Sequence, residues 1–186
     1  TRLKVTEFLN QNFAYESQYF SKAKQASPLK GEELADLLNF DSSEEEGIAA
    51  PYAEGIKLFL LLSKNRKIPG VLILKDAAQR WVKEKSGLLW NLPVLASSKF
   101  DFPFYLSNGQ TPQGVMAIDG VMPEANRQNI FGRNRRLIIN FFPKNDPLMQ
   151  EPSFVPFDHL SFSWWKQAEI ARELGRRFLR IHGTGF

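Results

Sequence analysis

The hydrophobic period of this chain changes at Pro69-Gly70, and that change constrains its fold more than any other feature. Before it, Val5, Phe8, Leu9, Phe13, Tyr19 and Phe20 recur at steps of three and four, with Lys4, Glu7, Asn10, Gln11 and Lys22 off the stripe, which is the spacing of an amphipathic helix. Ser27-Pro28 interrupts it, because proline lacks the amide hydrogen a helix interior needs and restricts the residue before it. A second helix is expected through Leu34, Leu37 and Leu38. Asp41-Ser-Ser-Glu-Glu-Glu-Gly47 reads as a solvated loop. Pro51 then opens an expected third helix carrying Ile56, Phe59, Leu60 and Ser63, closed by the basic Lys64-Asn-Arg-Lys67.

From Gly70 the period shortens to two. "GVLILKDAAQRWVKEKSGLLWNLPVLASS" offers strands at Val71–Lys75, Arg80–Lys83 and Leu88–Ala96, with turns at Asp76-Ala-Ala and Ser86-Gly87. "YLSNGQTPQGVMAIDG" adds a turn at Asn108-Gly109 and a strand at Val115–Ile118. "RRLIINFF" is apolar on both faces, so it is expected in the middle of a sheet. After an irregular proline-rich stretch, "SWWKQAEIARELGRRF" puts Trp164, Ala168, Ala171, Leu174 and Phe178 on one helical face, and its arginines gather at the C-terminal end, where the macrodipole favours them. "RFLRIH" closes the pattern as a strand. The expected fold is α+β: a small helical N-terminal region, residues 1–67, followed by a mostly β domain, residues 68–186, with a helical insertion.

Composition narrows the chemistry. The 186 residues contain no cysteine, so they hold no disulfide, no thiolate metal site and no thiol nucleophile. The formal net charge of +4 is a mild excess. The longest apolar run, Leu58–Leu62, is far short of the roughly 20 residues of a membrane span, so no transmembrane segment is expected. The start at Thr1, without methionine or a signal pattern, reads as that of a processed product or a piece of a longer chain.

Three features could carry function. His182 ends the last alternating strand, on the face shared by Phe178 and Arg180, and a following Gly-Thr-Gly lets the backbone turn there; a hydrogen-bonded structural imidazole is the competing reading. "NGQTPQG" brackets Pro112 between Gly109 and Gly114, which suits either a rigid pocket-shaping loop or a plain hairpin connection. Arg127, Arg133, Arg135 and Arg136, with Arg172, Arg176, Arg177 and Arg180, interleave with Phe131, Phe141, Phe142, Trp164 and Trp165. They would suit a single-stranded nucleic acid, a carboxylate ligand, or a solvated face over an aromatic core. His159 has no companion at metal-ligand spacing and reads as structural.

In order, the strands of "GVLILKDAAQRWVKEKSGLLWNLPVLASS", then "NGQTPQGVMAIDG", "RRLIINF" and "RFLRIHGTG", resemble the catalytic domain of the L,D-transpeptidase family of bacterial cell-wall enzymes, from about Gly70 onward. Thr111-Pro112-Gln113-Gly114 is similar to the family's Thr-Pro-x-Gly turn, and Ile181-His182-Gly183-Thr184 to its His-Gly-Thr strand end. The resemblance implies a β-rich fold with thiol acyl transfer on peptidoglycan stem peptides. A cysteine in a Ser-x-Gly-Cys loop beyond the His-Gly-Thr strand expels the terminal D-Ala, and an amine or water takes the acyl group. It implies a substrate pocket formed by His182, Gly183, Thr184, Thr111, Pro112, Gly114 and Arg180, a periplasmic or envelope location, no cofactor, and no nucleic-acid partner.

The 186 residues depart from that pattern by lacking the catalytic cysteine, and by the long segment from Pro143 to Arg176. Two expectations follow. The catalytic loop lies beyond Phe186 in a longer protein, or the domain is a non-catalytic module that binds peptidoglycan or another acidic ligand.

Overall fold

The computed structural model describes residues 29–40, 55–98, 100–122, 136–142, 166–177 and 179–182. The expected first helix, the acidic loop at 41–47, His159, Arg127, Arg133, Arg135, Gly183 and Thr184 lie outside them. Within them are two helices, α1 (Gly31–Asn39) and α2 (Lys166–Glu173), and six strands: β1 (Lys57–Leu61), β2 (Gly70–Lys75), β3 (Leu92–Val94), β4 (Ala117–Met122), β5 (Arg136–Asn140) and β6 (Leu179–Ile181). They form two antiparallel three-stranded sheets, β1-β2-β3 and β4-β5-β6. The class is α+β, with strand predominating.

One expected element is corrected. The helix expected from Pro51 to Ser63 is replaced, at Lys57–Leu61, by strand β1, paired with β2 from Lys57↔Lys75 to Leu61↔Val71. An unbroken apolar run of five residues satisfies a period of 3.6 and a period of 2 equally, so periodicity could not decide it. What decides it is the partner on the far side of a short turn. Asn65 Oδ1 accepts the Lys67 amide at 3.1 Å and the Asn65 carbonyl accepts the Ile68 amide at 3.1 Å, an Asx turn that reverses the chain and delivers Gly70 to the sheet. The boundary expected after residue 67 therefore falls inside the connection of a β-hairpin.

The strands expected at Arg80–Lys83 and Leu88–Ala96 shrink to the bridges Lys75↔Trp81 and Lys83↔Leu89 and the three residues of β3. Asp76 causes the reversal here. Its Oδ1 accepts the amides of Ala78 and Arg80, both at 2.9 Å, and Gln79 sits in the left-handed region at φ 58°. Those backbone bonds, with the Arg80 guanidinium beside it, hold the Asp76 carboxyl below its ordinary range.

Leu72 and Ile73 are the buried apolar residues of the first sheet. Lys75 is also buried; its Nζ donates to the Phe40 carbonyl at 3.0 Å and lies 4.9 Å from the centre of the Trp81 ring. The ammonium thus ties the end of α1 to an aromatic wall in which Phe59 and Trp81 stand 5.3 Å apart.

The second sheet agrees closely with the sequence pattern. "RRLIINFF" supplies β5, which is central, and "RFLRIH" supplies β6. A bulge at Asp119 shifts the β4 register between Ile118 and Gly120. The core of this unit is Phe141 with Ala168 and Ala171 of α2, packed against Phe104, Met116 and Leu179. Two alanines on the inner face let helix and sheet approach closely, and Ala171 is fully buried.

Candidate functional site

The Thr111–Gly114 turn is held from three directions. Its Gln113 amide donates to Gln167 Oε1 at 3.0 Å, and its Gln113 carbonyl accepts the Ala168 amide, also at 3.0 Å, so the turn is docked on the first residues of α2. Arg66, in the β1–β2 connection, donates to the Thr111 carbonyl at 3.5 Å and to the Ser63 carbonyl at 2.8 Å. Pro112 is buried, and Gly114 has φ 147°, where side chains are disfavoured.

The preceding loop is clamped by Arg176. Helix α2 ends in a Schellman arrangement: Gly175, at φ 83°, donates to the Arg172 carbonyl and Arg176 donates to the Ala171 carbonyl, both at 2.9 Å. That ending aims the Arg176 side chain inward. Its Nη1 donates to the carbonyls of Phe104 and, at 2.6 Å, Gln110; Nη2 donates to the Gly109 carbonyl at 3.1 Å. Burial pushes the guanidinium pKa down from its ordinary value, as it does for Arg66. The loop itself closes tightly, since a Cβ at Gly109 would stand 2.8 Å from the Leu106 carbonyl oxygen and run into that of Pro103.

His182 leaves β6 exposed, as does Arg180, while Leu179 and Ile181 are half-buried. The alternation expected of "RFLRIH" therefore holds over these four residues. The register places the ends of the sheet: Ala117 of β4 and Leu179 of β6 lie near Asn140 and Ile139, whereas Ile181 pairs with Leu137. The turn therefore enters the sheet at the Asn140 end of β5 and His182 leaves at the Arg136 end. Strand register alone does not bring the two together.

The late arginines divide in two. Arg172 donates to the Phe142 carbonyl at 2.6 Å and flanks Glu169 and Glu173 at 3.9 and 4.0 Å, and Arg176 is committed to the loop; Arg177 and Arg180 remain exposed. Half of the basic face expected there is thus structural. Sequence reasoning missed the clamp of Arg66, Gln167 and Arg176. The one signal for it was Gly175 at the end of a strong helical pattern, which fixes where the next side chain points. Among the described residues, no three His, Asp or Glu side chains gather as a metal site, and no helix is long and apolar enough to cross a membrane.

No family model, curated protein or solved structure matches this chain.

Proposed function

We propose that these residues belong to a peptidoglycan-directed domain similar to the L,D-transpeptidases, acting on stem peptides in the cell envelope. The observation that carries the reading is the Thr111–Gly114 turn. Its amide, its carbonyl and the loop before it are all fixed by side chains and backbone of α2 and its C-terminal turn. A turn so fixed presents a constant backbone surface to an extended ligand, which lowers the ordering cost of binding. The order of the sequence motifs supports the same reading, while His182 stands exposed at the far end of β5 from the turn.

In this proposal the acyl transfer needs a cysteine that the 186 residues do not supply. In that chemistry a cysteine thiol adds to the stem-peptide carbonyl after passing its proton to a base, the base returns that proton to the departing D-Ala amine, and the thioester passes its acyl group to an amine or to water, which regenerates the thiol. The absence of cysteine also favours a second reading, a module that binds wall peptides without turnover.

Sedimentation with purified peptidoglycan and release of D-Ala from tetrapeptide stems by the full-length gene product separate these readings. Co-sedimentation with D-Ala release supports the enzyme, and co-sedimentation alone supports the binding module. No co-sedimentation and no D-Ala release would overturn both. A double substitution tests whether one extended ligand spans both ends of β5: Thr111→Ala and His182→Ala are additive in binding if the turn and the imidazole act separately, and non-additive if one ligand contacts both.

A further inference from the structure

The first sheet and the loops that border β3 expose a set of large apolar side chains. Ile68, Val71, Leu88, Leu89, Leu92, Leu95, Phe102 and Leu106 all lie between residues 68 and 106, with Leu88 69% and Leu95 64% exposed. They are not all on one face, since Val71, opposite Pro93, and Leu92, opposite Leu72, lie on opposite sides of the sheet; the group nearest the lysines is the hairpin of Leu88 and Leu89. Leu89 stands opposite Lys83 at the base of a hairpin, Leu92 pairs with Leu72 in edge strand β3, and Leu95 follows beyond Val94, the partner of Gly70. The Lys67–Asp101 ion pair, at 2.8 Å, brings the Phe102 segment back beside Ile68.

The charge of the same stretch is one-sided. Residues 64–106 contain eight Lys or Arg against three Asp or Glu, whereas the whole chain has 24 against 20, so the chain's positive excess resides here. Two of the three acids are already neutralised, Asp76 by Arg80 at 3.0 Å and Asp101 by Lys67. Lys64, Lys83 and Lys85 are exposed. Pairing with a further strand is opposed by Pro93, in the middle of β3, which has no amide hydrogen to offer.

Exposed leucines and phenylalanines rimmed by lysines are the chemistry that recognises an anionic lipid surface. The apolar side chains enter the acyl boundary while the ammonium groups meet the headgroups. We propose that this edge, led by Leu88 and Leu95 and flanked by Lys83 and Lys85, docks the protein peripherally on an anionic membrane. The proposal is independent of any activity on peptidoglycan.

Vesicle flotation tests it, comparing phosphatidylglycerol-containing vesicles with pure phosphatidylcholine at low and high salt. The protein is expected to float with the anionic vesicles and to be released by salt. Lys83→Gln/Lys85→Gln should lower partitioning about tenfold or more, since each lysine near such a surface adds appreciably to binding. Leu88→Ser/Leu95→Ser should lower it similarly at unchanged far-ultraviolet circular dichroism. The charge variant alters only exposed side chains, so it reads the surface even if the apolar variant folds poorly. Failure to float, or equal binding to both vesicles, would overturn the proposal. So would a concentration-dependent dimer that Leu88→Ser/Leu95→Ser abolishes, because a second copy would then be the occupant.

Discussion

The two sheets have the same size, the same antiparallel pairing and the same sequential strand order, yet they differ in how much chain joins their strands. In the first, neighbours in space are neighbours in sequence: β1 and β2 are joined by residues 62–69, and the chain from Asp76 to Asn91 only loops out before returning as β3. In the second, β5 ends at Asn140 and its partner β6 begins at Leu179, with α2 between them. Closing that longer loop costs chain entropy, and burial of Phe141, Ala168 and Ala171 under one helix offsets it. The first sheet buries Leu72 and Ile73 but leaves Val71 and Leu92 exposed, and the second exposes Ile118 and Val121 of β4 while α2 covers its Phe141 core and fixes a turn.

The most severe way to break the contrast is Phe141→Ala, which removes the centre of the second core. It should cost about 3–5 kcal/mol in urea unfolding, by lost transfer energy plus a cavity. Amide exchange in β4 to β6 should accelerate more than in β2.

Arg176→Met comes next. It keeps an unbranched side chain but leaves the carbonyls of Phe104, Gly109 and Gln110 without their donor, and should cost about 1–3 kcal/mol in the same measurement. If the turn depends on this clamp, added guanidinium at low concentration should partly restore the amide shifts of residues 109–114 in an Arg176→Ala variant. A lysine there, with one compact ammonium group, should not reproduce the three bonds.

Leu95→Ser sharpens the comparison from the other side. Despite removing a large apolar group, it should change unfolding free energy by no more than about 0.5 kcal/mol, because that group is already in water.

The smallest effect concerns pH. The Asp76 carboxyl is held below its ordinary range chiefly by the Arg80 amide, so the turn it stabilises is intact above the unfolded carboxyl pKa and is lost as pH falls through the lower folded value. The amide shifts of Ala78 and Arg80 should titrate together in that acidic window, and Asp76→Asn should flatten both curves.

Much of this architecture could be read from the residues. The two-sided apolar run of "RRLIINFF" announced a central strand, the alternation of "RFLRIH" announced its partner, and the alanine-lined stripe after Trp165 announced α2. What could not be read was β1, because five apolar residues fit either period until a partner strand is present. The candidate site divides in the same way. Thr111, Pro112 and Gly114 stand out by residue type, and His182 by its place at a strand end. The clamp of Arg66, Gln167 and Arg176 uses residue types that occur on any surface.

Hydrophobic period and residue identity act locally, so the α+β class, the apolar faces and the absence of a thiol within these residues were already legible in the amino-acid order. Only the tertiary structure decided that the apolar segment before Pro69 is a strand, that Arg172 and Arg176 serve the backbone while Arg177 and Arg180 face solvent, and that the strand register leaves the turn and His182 at opposite ends of β5. Each of those outcomes depends on which distant group lies within hydrogen-bonding reach, a fact that emerges when the chain closes and is written at no single position along it.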